Sequence, residues 1–85
     1  MTYSIAFVAS AERALEKIAK RDQKKIAIRI ESLARDPRPP GSRKLVGGTK
    51  EYRIRVGDYR VIYSVEDRKV LVIVIRIAHR KDAYR

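Results

Sequence analysis

Hydrophobic positions follow two different periods along the chain, one in each half. After a short apolar alternation over residues 4–8, which predicts an opening strand, residues 10–34 repeat apolar side chains at intervals of three and four. That spacing is typical of amphipathic helices with one apolar face. Ser10 and Asp22 stand where two such helices would begin, and both residue types favour the amino-terminal cap. The first half therefore predicts a strand and an antiparallel hairpin of two helices.

The second half has the two-residue period of β-strands. Three prolines close together end the helical pattern, because proline removes a backbone donor and restricts the residue before it. Gly57 and Asp58 are typical of a two-residue hairpin turn. The expected fold is one α+β domain over residues 1–85, with a strand, a helical hairpin and an antiparallel sheet of three to four strands. The strands of that sheet are predicted at residues 43–46, 52–56, 59–65 and 70–78.

The composition is strongly basic and contains no cysteine. Lys and Arg number 21 against 10 Asp and Glu, which gives a formal net charge of +11 on 85 residues. A charge of that size favours a polyanionic partner: RNA, DNA, an acidic protein segment or an anionic membrane surface. Without cysteine there is neither a disulfide framework nor a thiolate metal site. No apolar stretch has the length that a bilayer requires, and residues 1–4 do not resemble a secretory leader, so the expected location is the cytoplasm.

Three arginines converge if the hairpin turn has only two residues. Arg55 then lies opposite Arg60, and Arg53 projects from the same face, away from the apolar residues of the two strands. Like charges in cross-strand pairs are destabilising, so folding alone does not favour this cluster. Planar guanidinium groups bind phosphate through two parallel hydrogen bonds, which makes the cluster a candidate phosphate site. A solvated polar face and a binding site for an acidic peptide are the alternative interpretations.

The carboxyl-terminal segment adds further candidate residues. His79 supplies an imidazole that can exchange a proton near neutral pH, Arg80 and Lys81 supply cations, and Tyr84 supplies a ring on which a base can stack. Strict alternation along the last strand places His79 on the arginine face and Arg80 on the opposite one. We therefore expect Arg80 to reach the site only if the chain bends or twists after Ala78. Purely structural roles for His79 and Tyr84 are the alternatives.

Residues 52–63 and 74–84 together resemble the RelE branch of the RelE/ParE toxins, and the order of predicted elements agrees over essentially the whole chain. The resemblance implies a microbial-ribonuclease-like RelE fold and cleavage of messenger RNA in the ribosomal A site. The implied reaction is attack of the ribose 2′-hydroxyl on the adjacent phosphate without a metal or other cofactor. In this resemblance Arg53 and Arg55 occupy positions where RelE enzymes often carry lysines that bind phosphate and help to activate the hydroxyl. Arg60 and Arg80 match arginines that stabilise charge or assist the leaving group, and Tyr84 matches a tyrosine that stacks on or orients the base.

Arginine at both lysine positions changes the expected chemistry, since a guanidinium stays protonated at physiological pH and is a poor general base. Our hypothesis is that the arginines stabilise the charge of the phosphorane, while His79 or Tyr84 takes part in proton transfer. The predicted catalytic residues are Arg53, Arg55, Arg60, His79, Arg80 and Tyr84. Further RNA contacts are predicted at Arg43, Lys44, Arg76, Lys81 and Arg85.

The resemblance also implies partners. An acidic antitoxin protein is expected to cover the positive surface or an exposed sheet edge in a hetero-oligomeric complex, and messenger RNA on the ribosome is the expected substrate. No membrane partner, metal or cofactor is expected. Two alternative functions are compatible with the same scaffold or the same charge: a ParE-like toxin that poisons DNA gyrase without cutting RNA, and a non-catalytic RNA-binding module.

Overall fold

The computed structural model describes residues 2–47 and 50–81, which form two helices and one mixed sheet. In the sheet the strand order is β1-β5-β4-β3-β2, with β1 parallel to β5 and all other neighbours antiparallel. The predicted α+β fold is confirmed, and the opening strand joins the four later strands as a fifth. The elements are β1 (Ser4–Phe7), α1 (Ala9–Glu16), α2 (Lys20–Ser32), β2 (Arg43–Lys44), β3 (Glu51–Val56), β4 (Tyr59–Glu66) and β5 (Leu71–His79).

Both helices begin before their predicted caps. α1 starts directly after Val8 and α2 directly after Ala19, and no side chain caps either start. Ser10 therefore lies inside α1 and Asp22 in the first turn of α2, so the two predicted caps are wrong. Asp22 still favours α2, because an acidic side chain in the first turn interacts well with the positive end of the helix dipole. Within the described part of the chain, neither helix is long and apolar enough to cross a membrane.

The two helices cover the same face of the sheet, because their buried residues join a single apolar cluster. The side-chain amide of Gln23 in α2 also donates a hydrogen bond of 2.9 Å to the carbonyl oxygen of Leu15 in α1, which ties the helices together. This packing assigns the interior to one face of the sheet. The buried residues are Ala11, Ile26, Ile30, Leu33, Ile54, Val56, Val61, Tyr63, Val65, Val72, Val74 and Ile77.

β5 contains a bulge that reverses its alternation. Ile75 has no partner in β4, because Val74 and Arg76 pair with successive residues of that strand. Before the bulge, even-numbered residues such as Val74 face the helices, whereas after it odd-numbered residues such as Ile77 do so. The expectation of strict alternation through β5 is therefore wrong. As a result the side chain of Arg76 lies on the face away from the helices.

The proline-rich loop before β2 is fixed to the rest of the molecule by Arg38. Its Nη2 and Nη1 donate to the two carboxylate oxygens of Asp67 at 2.8 and 3.3 Å, and its Nε donates to the hydroxyl of Tyr52 at 2.9 Å. The hydroxyl of Tyr3 donates to the same carboxylate at 2.7 Å. These hydrogen bonds hold the pKa of Asp67 below its ordinary value, and the one from Arg38 contributes most. The loop that leads into β2 is thus held at a defined position.

Tyr63 anchors the same loop from inside the core, where its buried hydroxyl donates to the carbonyl oxygen of Pro37 at 2.7 Å. Burial raises the pKa of Tyr63 to about 12. A tyrosine in the unfolded chain ionises near pH 10, so the unfolded state loses this proton first. The contribution of Tyr63 to the free energy of unfolding is therefore complete below about pH 10 and falls as the pH rises towards about 12.

We expect Tyr63→Phe to reduce this alkaline loss of stability. At neutral pH the substitution should lower the free energy of unfolding by about 1 kcal/mol, because one hydrogen bond is lost. Urea unfolding at neutral pH and at a series of alkaline pH values measures both effects. Tyr59→Phe, at a half-buried position, is the matched control and should keep the wild-type dependence. An alkaline slope in Tyr63→Phe equal to that of the wild type would contradict the assignment.

Candidate nucleic-acid interface

The β3–β4 hairpin brings three arginines to one face of the sheet. Its turn has two residues, of which Gly57 has a φ of +59°, a left-handed conformation that glycine adopts without strain. Arg55 is directly opposite Arg60, and Arg53 lies on the same face two residues before Arg55. The predicted register is confirmed, and the buried residues of both strands point to the other side.

The two neighbouring strands extend this face. Arg43 of β2 pairs with Arg53, whose other partner is Ile62, and Ile62 in turn pairs with Arg76 of β5. These four residues form one row across four strands, because directly paired residues share a face. Just beyond β5, Arg80 lines the same groove as Arg55 and Arg60. We call this set the arginine surface, and its members are Arg43, Arg53, Arg55, Arg60, Arg76 and Arg80.

Two grooves lie on the arginine surface, and Arg55 lines both. The turn groove, of about 400 Å³, lies beside the β3–β4 turn. The loop groove, of about 310 Å³, lies where the proline-rich loop enters β2. Single-stranded nucleic acid carries one phosphate per nucleotide, so two adjacent basic grooves suit successive phosphates. The turn groove is lined by Arg55, Gly57, Asp58, Tyr59, Arg60, Arg80 and Lys81, and the loop groove by Gly41, Arg43, Arg53 and Arg55.

The positive charge of this surface is only partly compensated. Within residues 2–47 and 50–81, Arg43, Arg53 and Arg55 form no ion pair with a carboxylate. Arg80 is paired, since its Nε lies 3.8 Å from Oδ1 of Asp58, with both side chains more than half exposed. Cations that are held by a rigid sheet and face solvent attract an anion and orient it on arrival. The arrangement is suited to a phosphate or a carboxylate ligand.

His79 lies on the other face of the sheet, so its predicted placement is wrong. After the bulge it pairs with Tyr59 on the helix side, where the two rings meet edge to face with their centroids 5.2 Å apart. Its Nδ1 accepts a hydrogen bond of 3.2 Å from the backbone N–H of Lys81. His79 lines neither groove of the arginine surface. Arg80 follows β5 in a turn, and this turn together with the change of phase at the bulge brings Arg80 to the turn groove.

Lys44 also faces away from the arginine surface. It pairs with Tyr52, and successive residues of a strand point to opposite faces, so Lys44 and Arg43 diverge. Lys44 lines a separate groove together with Arg38 and Tyr52. The structure therefore does not bring this predicted RNA contact to the other arginines.

The remaining predicted residues fall into two groups. Arg76 belongs to the arginine surface, and Lys81 lines the turn groove. Tyr84 and Arg85 lie outside the described residues, so their predicted roles stay predictions. Of the eleven predicted positions, the sheet and its final turn thus bring together the six members of the arginine surface and Lys81.

Residues 4–84 match a family model described as the ParE toxin of the type II toxin-antitoxin system parDE. The chain belongs to the RelE/ParE toxin family. This toxin is 32% identical to the toxin RelG of Mycobacterium tuberculosis (strain ATCC 25618 / H37Rv) over 88 residues, which cover 100% of this chain and 99% of RelG. The resemblance that the sequence indicated is confirmed over the full length of the fold.

Solved structures of RelE toxins share the architecture of this toxin. A chain of the archaeal RelE-RelB complex from Pyrococcus horikoshii OT3 matches with a TM-score of 0.84 at 29% identity, covering 94% of this toxin and 97% of that chain. A mutant of the E. coli toxin RelE in the free state matches with a TM-score of 0.84 at 26% identity, covering 99% of this toxin and 90% of that chain. The protein is therefore a RelE-like toxin of a type II toxin-antitoxin module.

Asp58 contacts Arg80 in the turn groove, and the sequence analysis does not predict this contact. The sequence identifies it only as a turn residue, because aspartate is common in turns of every kind. In the structure its backbone oxygen accepts a hydrogen bond of 2.6 Å from the N–H of Arg80, and its carboxylate lies near the same residue. The pairing of Tyr59 with His79 at the end of the β4–β5 ladder brings Asp58 next to Arg80.

Proposed function

We propose that this toxin is an endoribonuclease that cleaves messenger RNA in the ribosomal A site and so inhibits translation. The observation that carries the proposal is the convergence on one solvent-facing surface of five arginines from four strands and Arg80 from the turn after β5. Folding alone does not favour such a cluster, since Arg55 and Arg60 repel each other as a cross-strand pair. Similarity to the toxins RelG and RelE supports the same activity.

The proposed reaction needs a surface that stabilises negative charge. The 2′-oxygen of a ribose attacks the adjacent phosphorus, the bond from phosphorus to the 5′-oxygen breaks, and a 2′,3′-cyclic phosphate and a 5′-hydroxyl result. The proton of the 2′-hydroxyl is removed, and the departing 5′-oxygen gains one. Between these events the pentavalent phosphorus carries extra negative charge. Fixed donors that face this charge lower the barrier more than donors that must first reorient.

Individual arginines of the surface serve different parts of this step. Arg55 and Arg60 flank the turn groove from opposite strands and would donate to the phosphorane oxygens. Arg80 lines the same groove and is proposed to stabilise the departing oxygen. Because His79 lies on the helix side, our hypothesis of proton transfer is proposed for Tyr84, beside the base-stacking role that the resemblance implies. Arg53 and Arg43 in the loop groove would hold the neighbouring phosphate.

Ribosomes programmed with a labelled message test the proposal and separate it from its alternatives. Addition of the toxin should produce cleavage at the A-site codon, mapped by primer extension, with a 2′,3′-cyclic phosphate on the upstream fragment. A ParE-like function would instead produce arrested DNA gyrase complexes and intact message. A non-catalytic module would bind RNA and give neither result. Either of the last two outcomes would overturn the proposal.

We further propose that an acidic antitoxin segment covers the arginine surface. Two of the similar structures, from Pyrococcus horikoshii and from Mycobacterium tuberculosis, are complexes of a toxin with its antitoxin. A carboxylate-rich segment would pair with the same guanidinium groups that bind phosphate, so antitoxin and RNA would compete for one site. The resulting inactive complex is a hetero-oligomer. Competition between an antitoxin peptide and labelled RNA measures this overlap.

Arg43 and Lys44 provide a matched test of phosphate binding, because they are adjacent in β2 and point to opposite faces. We expect Arg43→Ala to weaken the binding of a single-stranded RNA and to reduce the magnitude of its salt slope by about 0.7, the value of one phosphate contact. Lys44→Ala removes the same charge and should leave affinity and slope near those of the wild type. Fluorescence anisotropy over a range of salt concentrations measures both quantities. Equal losses in the two variants would mean that net charge, and not this surface, governs binding.

A further inference from the structure

The turn that follows β5 is held by two residues that the proposed reaction does not use. On the side of the hairpin, Asp58 accepts the backbone N–H of Arg80 at 2.6 Å, and its carboxylate lies 3.8 Å from the Arg80 Nε. On the other side, Nδ1 of His79 accepts the backbone N–H of Lys81 at 3.2 Å. Arg80 stands between these two attachments, and its side chain lines the turn groove.

The hydrogen bond from Lys81 to His79 encloses the backbone of Arg80. It joins a side chain to the backbone N–H two residues later, which is the connectivity of an Asx turn with an imidazole in place of the asparagine side chain. Such a closed ring restricts the backbone dihedral angles of the residue inside it. The direction in which the Arg80 side chain leaves the chain is therefore set in part by His79.

The ring of His79 is itself held in place by Tyr59. The two residues are cross-strand partners, and their rings meet at an interplanar angle of 87° with centroids 5.2 Å apart. In the bond to Lys81 the Nδ1 of His79 is an acceptor, which is the role of an unprotonated ring nitrogen. The edge-to-face contact with Tyr59 holds the ring in the position from which Nδ1 faces the N–H of Lys81.

We infer that His79 is a positioning residue, which holds the Arg80–Lys81 turn through Nδ1 and so directs the Arg80 guanidinium into the turn groove. This inference rests on the proposed ribonuclease function, because it assigns His79 a role in that reaction through Arg80. The inference gives a role to His79 although its side chain lies on the helix side, because His79 directly precedes Arg80 in the sequence. His79 itself lines neither groove, so the inference assigns it a positioning role and no proton transfer to the substrate.

Two substitutions separate the acceptor of His79 from its ring. His79→Asn loses the ring but keeps an acceptor at the δ position, from which asparagine commonly bonds the backbone two residues later. His79→Phe keeps an aromatic ring against Tyr59 but has no acceptor. If the acceptor matters, His79→Phe should lower kcat/KM for cleavage by roughly three- to tenfold, the value of one neutral hydrogen bond, and His79→Asn should be nearer to the wild type.

A double-mutant cycle with Arg80→Ala tests whether His79 acts through Arg80. Once Arg80 is alanine, His79→Phe should cause little additional loss, because the group that it positions is gone. Full additivity of the two losses, or a larger loss in His79→Asn than in His79→Phe, would overturn the inference. Thermal unfolding of each variant provides the readout for a merely structural role, which would follow loss of the ring and not loss of the acceptor.

The same cycle distinguishes failure of the inference from failure of the proposed function. If the wild-type toxin binds but does not cleave RNA, the ribonuclease proposal fails, and the affinity for a single-stranded RNA oligonucleotide becomes the readout of the cycle. Non-additive losses of affinity would then still support positioning of Arg80 by His79. Affinities that follow additivity would overturn it.

Discussion

Under the proposed ribonuclease activity, replacement of Arg55 by alanine is expected to lower the rate of message cleavage by about a hundredfold or more. Arg55 lines both grooves and stands opposite Arg60, so its loss removes a fixed donor from the centre of the arginine surface. Loss of one such donor to a developing negative charge costs roughly a hundred- to a thousandfold in comparable enzymes. Single-turnover cleavage on saturating toxin measures the chemical step without the contribution of binding.

Two controls make this experiment specific. Lys44→Ala removes one exposed cation from the opposite face and should retain the wild-type rate. Arg55→Lys keeps the charge at a position where RelE enzymes often carry lysine, and we expect it to cleave faster than Arg55→Ala. If Arg55→Ala cleaves as fast as Lys44→Ala, the arginine surface is not the catalytic site.

Loss of a core isoleucine in α2 is expected to have the largest effect on stability. Ile30 is 1% exposed and packs in the apolar cluster between helices and sheet, so Ile30→Ala should lower the free energy of unfolding by about 2–5 kcal/mol. Small domains have a total of roughly 5–15 kcal/mol, so the variant should be close to unfolding at body temperature.

Ile28 is the matched control for this substitution, because it is the same residue type in the same helix and is 60% exposed. Ile28→Ala should change the free energy of unfolding by about 0.5 kcal/mol or less. Urea unfolding followed by circular dichroism measures both variants under identical conditions. Similar losses in the two variants would show that α2 does not pack on the sheet through Ile30.

The central part of the interface could be predicted because its geometry is local. A glycine in a two-residue turn between alternating strands leaves one register, and that register alone determines that Arg55 faces Arg60. The net charge of +11 and the fork of the guanidinium group then suggest a phosphate ligand. The register itself depends on the residues of the hairpin alone, whereas the phosphate assignment also uses the charge of the whole chain.

The placement of His79 and Arg80 could not be predicted, because the sequence of the last strand does not show where its alternation of inward and outward residues shifts. Apolar residues occupy both faces of β5 around Ile75, so the alternation of Val72 and Val74 continues to look regular where the structure inserts an extra residue. Regular alternation therefore predicts His79 and Arg80 on each other's faces of the sheet. The helix caps failed for a related reason, since a local preference of Ser10 and Asp22 was overridden by the path of the chain leaving Val8 and Ala19.

The parallel pairing of β1 with β5 is a third feature without a local indication. Ser4 pairs with Leu71 and Phe7 with Val74, across more than sixty positions of intervening chain. Such a contact depends on how the two helices, which lie between these strands in the sequence, pack on the sheet, so no short window of sequence predicts it. The pairing matters to the interface because it supports the first half of β5, the strand that carries Arg76 and leads into Arg80.

The bulge at Ile75 makes the number of residues in β5 as important as their identity. Side-chain replacements at this position alter a local fit, whereas removing or adding one residue would exchange the inward and outward sets of everything downstream. Such an insertion or deletion would turn the side chain of Arg76 towards the apolar core and that of Ile77 towards solvent. We therefore expect natural homologues to differ by substitutions in this segment but to keep its number of residues.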